Sequence, residues 1–594
     1  MKNPLSSVFL LPSSVLCLSS FVFCLLSFSL FAAPAPWRNG ERVPLWPEGK
    51  IPHFQEHQIG AMTDEASTNA EWRAAHRMPY LEWFAAPTNA NGGCMILISG
   101  GSYQNCCDVG LIKFWRDELT KIGFQCVNLV YRTPRAKGLP CHQSAWEDGQ
   151  RAVRLVRRDA KKRGFDPEKI GVIGMSAGGH LTCLLATISQ TPAYDKVDDV
   201  DETPCHINWA VPNAPAYNTL NGSKGDQSVK DGVSVVPSIN PVFTVDAKTC
   251  PMCFHHGGND PWSPNGSTLL YRELRKRGIP AELHLYADKP HGAHGFERAL
   301  EFIRQMNFDG KLSKNEELHE HRFYPGDTIR TEKELLWPKG KMPDADICHP
   351  FDPYLVWFVP EKLKTKAIQV IVPGGGYGMC NFNGEGTPVA HYLNGKGMTA
   401  VVVMYRCPRP DGKPKHQIAW EDAQRAVRLV RSEAPARGLD PDRIGIMGFS
   451  AGGHLTLMTA TNAKTPAYEP VDAIDQISCK LQWACPIYPA YSLTDGADQP
   501  NQTGGNDDSA VLVPEFSFDE DTPPMCFVHG DADGWAAMNS VKCWEKLRMM
   551  GRQSDLHTLA KRGHCFQMRA APGTGSYTWM DRIWDFLSRK RLNK

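Results

Sequence analysis

The chain carries almost no net charge: 65 basic residues face 64 acidic ones, a formal +1. No global field therefore draws it to nucleic acid or to an anionic membrane. Zinc-finger spacings, sustained heptads and long basic runs are all missing. A dense cysteine framework is missing too. Of 19 cysteines, Cys17 and Cys24 fall in the first 36 residues, and the 17 that remain cannot all pair within one chain. Most sit in apolar runs, such as Cys94 in CMILIS and Cys126 in FQCVNLV, and read as small buried hydrophobes. Cys250-Pro-Met-Cys253 is a lone CxxC without a second ligand pair, so it reads as the lead-in to a buried strand rather than a metal or redox site.

No acidic residue precedes Glu41. That leader holds Lys2, the run VFLLPSSVLCLSSFVFCLLSFSLFAAPAP, and small residues around Ala32-Ala33-Pro34-Ala35. It reads as a secretory signal over residues 1–36, which makes the protein secreted or periplasmic. Val8 to Ala33 is also long enough for an uncleaved anchor. No second segment reads as membrane-spanning.

What the sequence does contain is a duplication. Residues 131–180 and 405–454 align without a gap at an offset of 274, with 33 of 50 positions identical. LWPEGKIP recurs as LWPKGKMP, and CPMCFHHGGND as PPMCFVHGDAD. A period this long is a whole domain copied once, not a solenoid. The expected organisation is one domain over 37–310, a linker at 311–321 and a second domain over 322–594.

Each copy alternates strands and helices. GGCMILISGG, FQCVNLVYR, KIGVIG, CPMCFHHGG and AELHLYA read as buried strands. SAWEDGQRAVRLVRRDAKKRG has helical spacing of Ala145, Gly149, Ala152, Val153 and Val156, with Gly164 as its stop. Such alternation predicts an α/β fold, a mostly parallel twisted sheet with helices on both faces. Ligands then bind beyond the carboxyl ends of the strands.

The chemistry falls at those ends. Gly174-Met175-Ser176-Ala177-Gly178 and Gly448-Phe449-Ser450-Ala451-Gly452 both fit G-x-S-x-G between a strand and a helix. Asp260 and His294 follow later strands in the first copy; Asp533 and His564 do so in the second. A serine hydroxyl is a weak nucleophile until a histidine takes its proton, and an aspartate holds that histidine in the right tautomer. His291 and His294 both lie in KPHGAHGF; His294 is the choice because His-Gly-Phe lines up with His564-Cys565-Phe566. His255, His256, His180 and His454 read as structural. Oxyanion donors are expected from the backbone of Gly100, Gly101, Ser102 and Ala177, and of Gly374, Gly375, Gly376 and Ala451. Trp262 and Trp535 each follow a triad aspartate by two residues and are candidates for stacking on a sugar.

These residues resemble α/β-hydrolase serine esterases of the acetylxylan-esterase type, including bifunctional feruloyl and acetyl xylan esterases. PGGGYG, EGTPVAHYLNGKGMTAVVVMYRCPRP, LDPDRIGIMGFSAGGHL and RGHCF of the second copy carry the likeness. The resemblance implies two tandem α/β-hydrolase domains, a Ser-His-Asp triad in each, an acetylated oligo- or polysaccharide substrate, and neither metal nor organic cofactor. The first copy departs: Ser102 replaces Gly376, and the Glu385-Gly386 pair has no counterpart. Two other readings remain: a serine peptidase of the same fold, or one catalytic domain beside a copy that only binds saccharide.

Overall fold

The structure is a computed structural model. It describes residues 39–593 apart from 88–89, 220–228, 231–232, 235–237, 310–329, 349, 495–509 and 569–577. The leader and the expected linker lie outside the described residues. Among those described, no helix is long and apolar enough to cross a membrane.

Sixteen strands form one continuous sheet. The first copy supplies β1 (Glu41–Pro44), β2 (Tyr80–Phe84), β3 (Cys94–Ile98), β4 (Gln125–Val130), β5 (Ile170–Met175), β6 (Trp209–Asn213), β7 (Met252–Gly257) and β8 (Ala281–Tyr286). The second supplies β9 (Arg330–Leu335), β10 (Tyr354–Val359), β11 (Ile368–Val372), β12 (Thr399–Met404), β13 (Ile444–Phe449), β14 (Trp483–Ile487), β15 (Cys526–Gly530) and β16 (Asp555–Leu559). The order across the sheet is β1-β2-β4-β3-β5-β6-β7-β8-β16-β15-β14-β13-β11-β12-β10-β9. Each half is the same eight-stranded α/β-hydrolase sheet, parallel from β4 to β8 and from β12 to β16. The strands β3 to β8 are buried at every residue, as parallel strands covered on both faces must be.

One face of both halves shares a single apolar core. The opposite face carries a separate core in each half. The repeated helix motif has a packing reason. Asp148, on the helix Gln143–Arg163, accepts from Arg132 Nε at 3.0 Å and from Trp46 Nε1 at 2.7 Å. Asp422 does the same for Arg406 and Trp337. These carboxylates fix the chain leaving β4 and β12 against the long helix. Gly164 ends that helix in the left-handed region at φ 76°, as its place in the sequence predicts.

The two halves join edge to edge. β8 pairs antiparallel with β16, His284 opposite His557 and Leu285 opposite Leu556. Side chains reinforce the seam: the Leu283 amide donates to Thr558 Oγ1 at 2.7 Å, and Ala560 to Glu282 Oε1 at 2.9 Å. Behind them Arg582 bonds Glu301 at 2.8 Å. Pairing the two edges leaves no open strand there to recruit another chain. All 17 described cysteines are free thiols, 13 of them buried, in line with the apolar runs they occupy.

Candidate active sites

Ser176 stands between β5 and the helix Ala177–Thr187, with φ 57° and ψ −117°. Ser450 repeats this between β13 and the helix Ala451–Thr461, with φ 54° and ψ −119°. A non-glycine residue in that region is strained, and strain of this kind collects at functional sites. The flanking glycines are there because nothing larger fits. A Cβ at Gly174 would lie 2.3 Å from the Gly178 carbonyl oxygen, and one at Gly178 would lie 2.4 Å from that of Ser99. At Gly448 and Gly452 the same contacts would be 2.1 Å to the Gly452 oxygen and 2.2 Å to that of Val372. The G-x-S-x-G pattern thus records how tightly the turn is pressed between strand and helix.

In the second copy the expected residues meet. His564 Nε2 lies 2.7 Å from Ser450 Oγ, and Nδ1 lies 2.8 Å from Asp533 Oδ2. The first copy needs a correction. His291, not His294, completes the chain: Nε2 is 2.9 Å from Ser176 Oγ and Nδ1 is 2.7 Å from Asp260 Oδ2. His294 Nε2 instead donates to the Pro290 carbonyl at 2.8 Å. The His-Gly-Phe match misled because it is a chance likeness three residues past the catalytic position. One signal was available. His291 follows Asp260 by 31 residues, and His564 follows Asp533 by the same number.

A second histidine sits beneath each aspartate. His256 Nε2 lies 3.1 Å from Asp260 Oδ2 and 2.7 Å from the Trp262 carbonyl, while Nδ1 meets Ser267 Oγ at 2.9 Å. His529 repeats these contacts with Asp533, Trp535 and Ser540. The backbone amides of Trp262 and Trp535 donate to their aspartates at 2.7 Å. Burial opposes the charge of Asp260 and Asp533. The bonds from the two histidines around each outweigh it and bring both carboxyls down to about 2. Burial also opposes a charged His564, yet the Asp533 bond and the neighbouring Cys565 raise it to about 9.

The glycine turns after β3 and β11 run alongside the nucleophiles. A Cβ on Gly100 would lie 3.1 Å from Ser176 Cβ, and one on Gly374 3.0 Å from Ser450 Cβ. Gly101 and Gly375 have φ of 121° and 134°, and a Cβ on either would strike a carbonyl oxygen at 2.1 Å. Ser102 holds φ 54° where Gly376 holds 65°. Its hydroxyl hydrogen-bonds the Tyr217 phenol. The amides of Ala177 and Ala451 open their helices and have no intrahelical acceptor. Glu385 accepts from the Gly374 amide at 2.7 Å and from Tyr488 Oη at 2.8 Å. The first copy has a nearer analogue than the sequence suggests. Asp108 Oδ2 lies 2.9 Å from where a Gly100 Cβ would stand, as Glu385 Oε2 lies 2.8 Å from the Gly374 position.

Trp262 and Trp535 are half-buried, with rings 4.8 and 4.5 Å from those of Tyr217 and Tyr491. These tyrosines were missed. They carry φ of 59° and 57°, which no local sequence signal announces. His180 and His454 are fully buried and bond Tyr103 and Tyr377 at 2.7 and 2.8 Å.

The family profile described as BD-FAE matches residues 84–274 and again 356–547. The chain belongs to the BD-FAE family. Each matched BD-FAE stretch spans the glycine turn, the serine and the aspartate of one site. An acetylxylan esterase of Xylanibacter ruminicola is 29% identical over 222 residues, covering 36% of this chain and 43% of that protein. A probable carboxylic ester hydrolase, LipM, of Mycobacterium tuberculosis is 27% identical over 217 residues, covering 33% and 49%. The chain therefore spans less than half the length of these relatives. Among solved structures, an acetyl ester-xyloside bifunctional hydrolase from Caldicellulosiruptor lactoaceticus is 26% identical, covering 44% of this chain and 97% of its own, with a TM-score of 0.37.

Proposed function

We propose that this BD-FAE protein hydrolyses carboxylic esters of carbohydrate, acetyl groups on xylan-type polymers foremost, at two Ser-His-Asp sites. The observation that carries the reading is the unbroken hydrogen-bonded chain from serine through histidine to aspartate in both copies. The sites are Ser176, His291 and Asp260, and Ser450, His564 and Asp533. The carbohydrate side rests on the relative named acetylxylan esterase.

The serine Oγ attacks the ester carbonyl carbon as its proton passes to histidine Nε2. The aspartate stabilises the resulting imidazolium through Nδ1–H. The tetrahedral oxyanion falls to the amides of Gly101, Ser102 and Ala177, or of Gly375, Gly376 and Ala451. As the tetrahedral intermediate collapses, its bond to the sugar oxygen breaks and the imidazolium gives its proton to that oxygen, which leaves as a hydroxyl. A water molecule then repeats the sequence on the acyl-serine and releases the carboxylic acid. Trp262 and Trp535, beside Tyr217 and Tyr491, offer aromatic surface to the sugar. Residues 1–36 direct export, and the two domains occupy 37–310 and 322–594 with 311–321 between them.

The test is covalent. A fluorophosphonate probe at pH 9, where both histidines can accept a proton, should modify Ser176 and Ser450 and no other serine, as read by peptide mass spectrometry. Label on neither serine would refute the reading.

A further inference from the structure

The aspartate loop of each site is gripped by an arginine of the other copy. Asp531 lies two residues before Asp533, and its carboxylate crosses the seam. It accepts from Arg275 Nη1 at 2.8 Å, from Tyr271 Oη at 3.0 Å and from the Ala281 amide at 3.1 Å, all in the first copy. The pair is buried: the Arg275 and Asp531 side chains are 9% and 7% exposed. The mirrored contact also exists. Arg548 Nη1, from the second copy, donates to the Gly258 carbonyl at 2.5 Å, two residues before Asp260. Next to it Gln553 Nε2 meets Asn259 Oδ1 at 3.2 Å. Position 258 cannot hold a carboxylate, because a Cβ there would lie 2.5 Å from the Ala287 carbonyl oxygen.

We propose that Arg275 and Arg548 are positioning residues acting across the seam: each holds the aspartate loop of the opposite site in register with its histidine. This rests on the two-site reading above. A one-ångström misplacement of a catalytic group costs on the order of a hundredfold in rate. Asp531 and Asp533 share one short loop, so a shift of the first moves the second. Three first-copy donors bond the Asp531 carboxylate, while the Arg548 bond to the Gly258 carbonyl involves no charge pair. The second site therefore depends on its neighbour more than the first does. The duplication thereby acquires a function beyond a doubled number of sites.

The experiment crosses the copies. Ser176→Ala leaves the second site alone and Ser450→Ala leaves the first; hydrolysis of p-nitrophenyl acetate is measured in each background. The double serine variant must be inactive, and residual turnover there would refute the two-site reading instead. Arg275→Met should lower kcat of the second site about ten- to hundredfold. KM should stay within about twofold, as for a residue that does not touch substrate. The first site, in whose own domain Arg275 lies, should keep its rate within about threefold. Arg275→Lys should restore part of the loss. Arg548→Met should lower the first site, by less, and spare the second. Amide exchange over 530–536 should accelerate in Arg275→Met, which reports the loop without any assay of activity. If Arg275→Met lowered both sites alike, or the first alone, or left the exchange of that loop unchanged, the proposal would be overturned.

Discussion

His291 Nε2 lies 2.9 Å from Ser176 Oγ, while His294, three residues further on, bonds only the Pro290 carbonyl. The two histidines should separate cleanly by mutation. With Ser450→Ala present, His291→Ala should remove roughly ten-thousandfold of the remaining kcat/KM. His294→Ala should change it by less than about threefold. Ester turnover by the two variants checks this. The opposite pattern would restore His294 as the base.

The serine at the first glycine turn is a strained substitute. Ser102 holds φ 54°, where the second copy has glycine. Relief of that strain is worth about 1–2 kcal/mol, and the greater unfolded-state entropy of glycine takes back about 0.5–1. Ser102→Gly should therefore stabilise the fold by about 0.5–1 kcal/mol, with first-site kcat unchanged within about threefold. A urea titration of the variant gives the sign. A loss of stability would mean that the contact with Tyr217 outweighs the backbone strain.

The second elbow has no room to grow. Gly452→Ala would bring a methyl group within 2.2 Å of the Val372 carbonyl oxygen. The cost is expected at about 1–3 kcal/mol, as for overpacking elsewhere. Second-site activity should fall with it, because the helix that starts at Ala451 would have to retreat from β11. Thermal melting together with turnover in the Ser176→Ala background tests both parts.

The second site should prefer alkaline conditions. Its base must be neutral to accept the serine proton, and His564 is raised to about 9. In the Ser176→Ala background kcat/KM should rise with pH and level off only near pH 9. Asp533 stays ionised down to about pH 2, so no second limb from it should appear between pH 4 and 9. A plateau reached by pH 6 would contradict this.

Much of this was legible in the sequence, and the exceptions have physical causes. The alternation of apolar strands with the long amphipathic helix announces a parallel sheet, because buried parallel strands leave an uninterrupted hydrophobic run. The serine elbows are legible because only glycine fits at positions 178 and 452. His291 was obscured by a chance His-Gly-Phe, although its 31-residue distance from Asp260 identified it. Tyr217 and Tyr491 were hidden because their place beside the site comes from loop geometry, not from periodicity. The seam was hidden most deeply. Nothing in AELHLYA or SDLHTLA says that these two strands pair with each other rather than with solvent, since edge pairing leaves no mark on a strand buried on both faces.

Acetate release from acetylated xylan reports whether two esterase sites operate in one chain. The wild type should be compared with Ser176→Ala, Ser450→Ala and the double variant. Each single variant should keep part of the activity, and the double variant should lose nearly all of it, roughly a thousandfold or more. Full activity in the double variant, or no acetate from the wild type, would contradict the account.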